Sequence, residues 1–449
     1  MGDDFRWRST DELNDLAARL SLSIPTTEDL SPLAEPMQVG GFEIPNSLAV
    51  HPMEGCDGDA AGRPDTLTIR RYDRFAAGGA GLIWVEAIAV VPEGRSNPRQ
   101  LWLHEDSVAA IADLVARTRR IAGDARGHRP MLVAQLTHSG RYSRPGSERR
   151  PVIVQHDPCR DRHMGLAADW PLATDEYLDR LRDGYVEAAR LAFDAGFDAV
   201  DIKACHGYLV NELLGARERQ GKYGGPFENR TRFLLDVVDA IGETLGPGRT
   251  VTTRLGVFDA VPYPHGWGVD RDNCMRPDLS EPKRLVGLLA ERGVPMVNVT
   301  LASPYYNPHL GRPFNRNVVG GDEPPEHPLV AVGRAIGLAG EVQKAFPDLP
   351  VVGTGYTWLQ TLLPNVAAAV KADGLATLIG VGRLALAYPT FAADILDHGR
   401  LDPDKVCIAC SRCTQIMRDG GRTGCVVRDR AIYGPIYRAG RALQEEAGR

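Results

Sequence analysis

An eightfold alternation of short apolar runs and helical patterns is the feature that most constrains the fold of this sequence. Near-continuous apolar strands that alternate with amphipathic helices are typical of a parallel sheet covered by helices. Eight such units predict an α/β fold, the (β/α)8 TIM barrel. A doubly wound sheet would alternate in the same way, but no GxGxxG motif follows the first run, which favours the barrel. The predicted strands are residues 47–52, 81–90, 131–138, 197–204, 249–257, 295–302, 349–356 and 376–383.

The segments before and after the alternation predict two further parts of the chain. Residues 1–40 hold one amphipathic pattern and a proline-rich run, and we interpret them as a helical arm packed on the barrel or on a partner in a homo-oligomer. The barrel itself takes residues 41–400, and residues 401–449 form a small cysteine-rich module with a tail. Within the barrel, we predict helix N-caps at Asp106 and Thr174.

The charge balance limits the partners of the chain. A net charge of −6 argues against non-specific binding to nucleic acid or to an anionic membrane, because both need a basic surplus. The sequence has no run of about 18 apolar residues, so no transmembrane helix is expected. The first ten residues, MGDDFRWRST, lack the order of a secretory signal, and we therefore expect a cytoplasmic protein.

Glycines cluster at the ends of the last two predicted strands. Gly353 and Gly355 end the seventh strand, and Gly382 precedes Arg383 at the end of the eighth. Loops after these two strands are the recurrent phosphate cradle of this fold, because glycine lets the backbone approach and arginine binds phosphate with paired hydrogen bonds. Tight turns without a ligand are the alternative interpretation.

Gln135 and Arg254 place polar groups inside apolar strands. Such a side chain is costly to bury unless it is paired. Both side chains could reach the barrel mouth and bond a cofactor ring, where a guanidinium would stabilise an anionic reduced form. An ordinary buried hydrogen bond is the alternative.

The fourth strand ends in the densest polar group of the chain, which includes Lys203, His206 and Tyr208. The carboxyl ends of barrel strands are where TIM-barrel enzymes place their chemistry. Lys203 and His206 are three residues apart across a strand-to-loop turn and could converge on one oxygen, while the Tyr208 hydroxyl could give a proton to a carbanion. Each residue alone would more often be structural, so the prediction rests on the group.

Four cysteines lie close together near the C-terminus, at Cys407, Cys410, Cys413 and Cys425. A disulfide framework would be unusual in a cytosolic chain of this size. The C-x2-C-x2-C opening matches ferredoxin-type iron–sulfur sites, so the spacing predicts a [4Fe–4S] cluster. Structural zinc more often uses two separated C-x2-C pairs, and zinc or free thiols are the alternatives.

Taken together, these motifs resemble the Old Yellow Enzyme family of FMN oxidoreductases, within its iron–sulfur branch typified by 2,4-dienoyl-CoA reductase and trimethylamine dehydrogenase. The resemblance covers about residues 38–430. The segments that carry it are NSLAVHPMEGCDG, RYDRFAAGGAGLIWVEAIAVVPEGR, QLTHSGR, HGYLVNELL, KYGGPFENRTRFLLDVV, IGVGRLALAYP and CIACSRC.

The resemblance implies an FMN cofactor and assigns site residues. It puts Tyr208 at the family's proton-donor position, and it makes Lys203 and His206 the pair that holds a substrate carbonyl oxygen. It also implies that the C-terminal part is an iron–sulfur module. The implied FMN contacts are Pro52, Met53, Ala87, Gln135, Arg254, Gly353, Gly355, Gly382 and Arg383.

Three features depart from the family pattern. Many members have His where this chain has Lys203, whose ammonium could donate to an oxyanion, pair with a substrate carboxylate, or form a salt bridge with Asp201 or Glu212. Cys56 lies near the cysteine that tethers flavin in some relatives but is out of register with it. The chain ends 24 residues after Cys425, so we expect no dinucleotide-binding domain and a separate reductase or ferredoxin-type protein as electron donor; direct reduction by NAD(P)H is the alternative.

The preferred function is an FMN-dependent ene-reductase that reduces a C=C bond activated by a carbonyl or related group. Hydride would come from flavin N5, the proton from Tyr208, and electrons through the cluster. One alternative is a dehydrogenase of an amine or a cyclic carbonyl compound, and another is an electron-transfer subunit. We expect the long stretches 139–172, 257–280 and 303–317 to shape the pocket for a small unsaturated substrate.

Overall fold

The computed structural model describes residues 6–447 and contains a closed barrel of eight parallel strands. The order around the barrel is β10-β3-β4-β5-β6-β7-β8-β9, so the chain winds once around and the last strand pairs with the first. Each barrel strand overlaps one predicted apolar run, and the TIM-barrel prediction is confirmed. The strands are β1 Met37–Val39, β2 Phe42–Ile44, β3 Leu48–Val50, β4 Leu82–Ala89, β5 Met131–Thr137, β6 Ala199–Ile202, β7 Thr250–Phe258, β8 Val297–Leu301, β9 Val351–Gly353 and β10 Leu378–Val381.

Helices cover the outside of the barrel and build the C-terminal segment. Four short 3-10 turns lie at Ser31–Ala34, Pro92–Gly94, Gly140–Tyr142 and Tyr356–Leu362. The α-helices are α1 Thr10–Arg19, α2 Thr66–Ala76, α3 Val108–Arg126, α4 Pro158–Met164, α5 Asp175–Asp194, α6 Leu209–Leu214, α7 Phe227–Leu245, α8 Ser280–Glu291, α9 Pro308–Gly311, α10 Pro328–Ala345, α11 Leu363–Ala372, α12 Arg383–Ala387, α13 Phe391–His398, α14 Arg412–Arg418 and α15 Arg430–Ala447. In the part of the chain between residues 6 and 447, none of the helices is both long and apolar enough to cross a bilayer.

The barrel interior changes from apolar at the bottom to polar at the top. The antiparallel hairpin β1–β2 packs Val39 and Ile44 against Trp84 and other inward residues of the barrel strands, and this closes the bottom. Further along the same strands the buried residues are polar, as in Gln135 and Asp201. Since inward positions alternate along a strand, this polarity places the chemistry at the carboxyl ends of the strands.

One of the two predicted helix N-caps is wrong. Thr174 caps α5, and its hydroxyl accepts a hydrogen bond from the Tyr177 amide at 3.2 Å, as predicted. Helix α3 instead begins after Ser107, one residue beyond Asp106. The Asp106 side chain is 95% exposed, because the intervening turn is held by the Ser107 hydroxyl, which donates to the Trp102 and His104 carbonyl oxygens.

The two terminal segments pack on the barrel of their own chain. Helix α1 buries Leu13 and Ala17 in the main core. The C-terminal segment is fixed by Asp429, which accepts hydrogen bonds from Arg70 and Arg74 of α2 at 2.7 and 2.6 Å. These contacts hold the cysteine-rich segment against the barrel.

Candidate active site

A cavity of about 710 Å³, measured to its open mouth, lies at the carboxyl ends of the barrel strands. Six of the residues predicted to bind the cofactor line this cavity, together with His206. The cavity also touches the turns that follow β3, β9 and β10, and Arg254 within β7, which come together only in the closed barrel. The six lining residues are Pro52, Met53, Arg254, Gly355, Gly382 and Arg383.

Three arginines around this cavity carry buried nitrogen atoms with no hydrogen-bond partner among the described residues. These atoms are Nε of Arg254, Nε and Nη2 of Arg312, and Nη1 of Arg383. Buried donors are almost always paired in native proteins, so unpaired guanidinium nitrogens beside a cavity indicate a missing anionic ligand. The arginines therefore fit the phosphate of FMN and the negative charge that its ring carries when it is reduced.

The cavity also carries an excess of positive charge, which again indicates an anionic ligand. Burial, with Arg383 as the next contribution, lowers the pKa of Arg312 to about 9. Burial also lowers the pKa of Arg254. Two neighbouring guanidinium groups that repel one another are stabilised by a dianion placed between them. The electrostatics thus agree with the hydrogen-bond count.

Gly355 has a backbone conformation that explains why glycine stands there. Its φ is +98°, a left-handed value that other residues rarely adopt, and it begins the 3-10 turn Tyr356–Leu362 at the cavity wall. A Cβ at this position would lie 2.9 Å from Cβ of Ala335. The turn places Thr354, Gly355 and Thr357 in the cavity lining, and the contact of their backbone with the phosphate stays a prediction.

Three of the residues assigned to the cofactor stand outside the cavity lining. Gln135 donates from Nε2 to Asp201 Oδ2 at 2.6 Å, which matches the alternative of an ordinary buried hydrogen bond. The Ala87 carbonyl oxygen accepts a hydrogen bond from Gln100 Nε2 at 3.0 Å. Gly353 faces the Tyr356 hydroxyl so closely that a Cβ there would lie 2.4 Å from it. Their contact with FMN stays a prediction.

His51, Thr300 and Arg312 line the cavity without having been predicted. His51 directly precedes Pro52 at the end of the first barrel strand, and this position alone could have indicated it. Arg312 belongs to the segment 303–317, which was assigned to the substrate pocket because it is rich in Pro, Tyr and Asn. Arg312 and Arg383 are 71 positions apart, so the sequence alone does not indicate that they line the same cavity.

The predicted catalytic residues Lys203 and Tyr208, both buried, form one cluster with the half-buried Glu54 and Tyr305. Tyr208 donates from Oη to Glu54 Oε1 at 2.9 Å, and its oxygen is 3.0 Å from Tyr305 Oη. Lys203 Nζ lies 3.8 Å from the same Glu54 oxygen and 3.6 Å from the centre of the Tyr208 ring. The salt-bridge partner of Lys203 is thus Glu54, not Asp201 or Glu212 as the sequence suggested.

His206, the third predicted catalytic residue, lies on the cofactor side of this cluster. Its Nε2 is 3.4 Å from Thr300 Oγ1, and both residues line the arginine-lined cavity. Lys203 lines neither this cavity nor the larger one described below. Their convergence on one substrate oxygen stays a prediction.

Burial sets the protonation of this group. It lowers the pKa of His206 well below the usual value, with Arg254 and Lys203 adding repulsion, so the imidazole is neutral near pH 7. Burial lowers the pKa of Lys203, an effect that the Glu54 carboxylate opposes. It raises the pKa of Tyr208 well above 10, and Glu54 adds to this shift. The phenol is therefore protonated at rest.

A second cavity of about 2320 Å³, measured to its open mouth, lies next to the cluster. Glu54, Tyr142 and Tyr305 line its wall near the cluster, and the C-terminal segment adds Met417 and Arg418. The long stretches 139–172 and 303–317 both contribute to its lining. The stretch 257–280 is not part of this lining, since Asp259, directly after β7, exchanges hydrogen bonds with Trp267 within the stretch; its role in the substrate pocket stays a prediction.

All four C-terminal cysteines line a third, smaller cavity together with Arg383. The amide of Ala409 points at Cys407 Sγ (3.4 Å), and that of Arg428 points at Cys425 Sγ (3.3 Å). Burial raises the pKa of Cys407 to about 12, so its thiolate needs a nearby positive charge. Across residues 6–447, no three His, Cys, Asp or Glu side chains are grouped closely enough to enclose a metal ion.

The fold and the site define a class: TIM barrels that bind a phosphate-bearing cofactor at the carboxyl ends of their strands. The chain belongs to the NADH:flavin oxidoreductase / NADH oxidase family, whose sequence model matches residues 32–266. The resemblance to Old Yellow Enzymes seen in the sequence is confirmed by this match.

Curated relatives cover the chain unequally. An NADH oxidase from Thermoanaerobacter brockii is 27% identical over 404 residues, which is 89% of this chain and 55% of the relative. An NADPH dehydrogenase from Geobacillus thermodenitrificans is 32% identical over 216 residues, which is 47% of this chain and 59% of the relative. The chain thus spans somewhat more than half the length of these relatives.

Solved structures share the fold. A 2-naphthoyl-CoA reductase in complex with 2-naphthoyl-CoA has a TM-score of 0.71 at 19% identity, covering 91% of this chain and 58% of its own. Histamine dehydrogenase from Rhizobium sp. 4-9 has a TM-score of 0.65 at 21% identity, covering 89% and 52%. The Old Yellow Enzyme homologue from Zymomonas mobilis has a TM-score of 0.59 at 21% identity, covering 83% and 94%.

Proposed function

We propose that the chain is an ene-reductase that reduces a C=C bond activated by a carbonyl or related group, with NAD(P)H or a separate reductase as the source of electrons. One observation carries the proposal: the arginine-lined cavity that fits FMN lies beside a buried tyrosine cluster that borders a second, larger cavity. The larger cavity would take the substrate.

One set of residues would hold the cofactor, and another would act on the substrate. Arg312 and Arg383 would hold the FMN phosphate, and Arg254 would lie beside the ring. When bound, FMN supplies the hydride that the β-carbon receives. Lys203 and His206 would donate hydrogen bonds to the substrate oxygen, each worth about 3–4 kcal/mol if it forms only in the transition state. Tyr208 would give its hydroxyl proton to the α-carbon.

Anaerobic half-reactions test this proposal. NADPH or NADH should bleach the flavin absorption of the purified chain, and 2-cyclohexenone should restore it with formation of one cyclohexanone per flavin. If the enone leaves the bleached flavin unchanged while an amine bleaches the oxidised flavin, the ene-reductase proposal is wrong. If neither pyridine nucleotide bleaches the flavin but a ferredoxin-type reductase does, the electron donor is a separate protein.

The reverse reaction, oxidation of an amine, is a second candidate. It is supported by Glu54, whose carboxylate lines the larger cavity beside three tyrosine rings, since such a group attracts an ammonium. The fold similarity to histamine dehydrogenase agrees with this direction. The half-reactions above distinguish the two directions.

We further propose that Cys407, Cys410, Cys413 and Cys425 hold a [4Fe–4S] cluster that relays electrons. Support comes from their shared cavity and from the backbone amides that point at two of the sulfur atoms. Amide hydrogen bonds to sulfur stabilise the thiolates that ligate such clusters. Arg383 lines both this cavity and the cofactor cavity, so the two groups would be neighbours.

Replacing one cysteine of the set should remove the cluster and leave the flavin. We expect anaerobically purified protein to contain about four iron atoms per chain. Cys413→Ser should lose most of this iron and keep a normal FMN content. Cys274→Ser is the matched control, because Cys274 lies outside the module, and it should keep both. Iron and zinc analysis measures the outcome, and stoichiometric zinc without iron would contradict the cluster.

A further inference from the structure

We propose that Glu54 is the proton relay of Tyr208: it carries a proton from the larger cavity to the tyrosine oxygen after each turnover. This inference rests on the proposed role of Tyr208 as proton donor. No role for Glu54 was predicted from the sequence, and its place in the cluster follows from the structure alone.

The first argument is that Tyr208 is cut off from water. The residue is 2% exposed and lines neither the cofactor cavity nor the larger cavity. The contacts of its hydroxyl that the structure records are with Glu54 and Tyr305. In the resting structure, the hydrogen-bonded paths from this oxygen to the larger cavity therefore run through these two side chains, both of which line that cavity.

The second argument is that Glu54 connects the tyrosine to the larger cavity. One carboxylate oxygen, Oε1, accepts the Tyr208 hydroxyl at 2.9 Å, and the other, Oε2, accepts the Ser96 hydroxyl. Glu54 and Ser96 both line the larger cavity. The backbone on its far side is fixed, because the Gly55 amide donates to Glu86 Oε2 at 2.7 Å. The carboxylate thus has one oxygen on the tyrosine and the other toward the cavity wall.

The third argument is electrostatic. Lys203 Nζ is 3.8 Å from Glu54 Oε1 and lies over the Tyr208 ring at 3.6 Å from its centre. A cation at this point compensates the carboxylate at rest and stabilises a phenolate that forms when Tyr208 gives up its proton. The ammonium makes it less costly for negative charge to pass between the two oxygens.

Protons are balanced over one turnover. The Tyr208 O–H bond breaks and its proton forms the C–H bond at the substrate α-carbon, which leaves a phenolate. Glu54 takes one proton from water in the larger cavity and passes it to the phenolate oxygen. Both side chains return to their starting state, and the solvent supplies one proton for each product molecule.

Glu54→Gln separates this relay from a structural role. The amide oxygen of Gln can still accept the Tyr208 hydrogen bond, but the side chain cannot take up and pass on a proton. We expect the first reduction of 2-cyclohexenone per flavin to keep its rate within about threefold of the unmodified chain, and later turnovers to slow by about 100-fold. Flavin bleaching by NADPH is measured separately, so that a slower supply of electrons is not mistaken for the loss of the relay.

Rescue and controls make the test decisive. Formate is small enough to enter the larger cavity and should restore the later turnovers of Glu54→Gln at least tenfold. Glu93→Gln is the matched control. Glu93 also accepts a hydrogen bond from a tyrosine hydroxyl, that of Tyr177, at a distance of 3.1 Å, but it lines neither the cofactor cavity nor the larger cavity. In this control variant the first and later turnovers should have the same rate, and formate should have no effect on either.

Three results would overturn the relay. The first is a steady-state rate of Glu54→Gln close to that of the unmodified chain. The second is an equal loss of rate in the first and later turnovers of Glu54→Gln, with no rescue by formate. The third is a fast first turnover with rescue by formate in Tyr305→Phe and not in Glu54→Gln. A failure of the proposed function looks different, because Tyr208→Phe would then reduce the enone at the normal rate. If Tyr208→Phe loses its rate of enone reduction while Glu54→Gln keeps a normal rate, the relay is refuted and the proposed function is not.

Discussion

Tyr208→Phe is expected to lose about 10²- to 10⁴-fold of its rate of enone reduction and to keep the rate at which NADPH bleaches the flavin. The reason is that the phenol is the buried acid of the cluster, and Phe keeps the ring under the Lys203 ammonium while removing the proton. Anaerobic stopped-flow measurement of the two half-reactions reports each rate separately. The loss should fall entirely on the half-reaction with the enone.

A buried tyrosine away from the site provides the control. Tyr223 donates to Asp179 Oδ1 at 2.6 Å on the outside of the barrel, and Tyr223→Phe should leave both half-reactions unchanged. Equal activity of Tyr208→Phe and the unmodified chain would remove Tyr208 from the mechanism. A loss in both half-reactions would instead indicate that the substitution disturbs the cofactor cavity.

The barrel could be predicted from the sequence because its signal is local. A strand that is buried on both faces must be apolar over its own length, and this is visible in runs such as residues 131–138 and 376–383. The hairpin β1–β2 was missed, since strands of three residues carry too few positions for a periodic pattern. The cap of α3 was misplaced by one residue because Asp106 and Ser107 are both good capping residues.

The site could be predicted only in part, because its pairings are not local. Lys203, His206 and Tyr208 stand within six positions and so were visible as a group. Glu54 lies 149 positions before Lys203, and only the closed barrel brings the two side chains together. Two acidic residues much nearer in sequence, Asp201 and Glu212, appeared to be the better partners. Both are engaged elsewhere: Trp84 donates to Asp201, and Arg141 donates to Glu212.

Arg383→Gln is expected to weaken FMN binding by about 10- to 100-fold. The free energy lost is that of a charge-assisted contact, about 1.5–3 kcal/mol, and 1.4 kcal/mol corresponds to a factor of ten. Nη1 of Arg383 is buried without a partner among the described residues, while Nη2 donates to the Pro313 carbonyl oxygen, a bond that the Gln amide can replace. Titration of the deflavinated protein, followed by quenching of flavin fluorescence, gives the dissociation constant.

Riboflavin, which lacks the phosphate, shows whether the lost contact is the predicted one. If Arg383 binds the phosphate, Arg383→Gln should weaken FMN binding and leave riboflavin binding unchanged, so that the two affinities approach each other. Arg412→Gln is the matched control: Arg412 is similarly half-buried and lines the cysteine cavity but not the cofactor cavity. An equal loss for both flavins in Arg383→Gln would mean that the arginine supports the cavity wall through Pro313 and not the phosphate. An unchanged affinity for FMN would contradict the predicted contact between Arg383 and the phosphate.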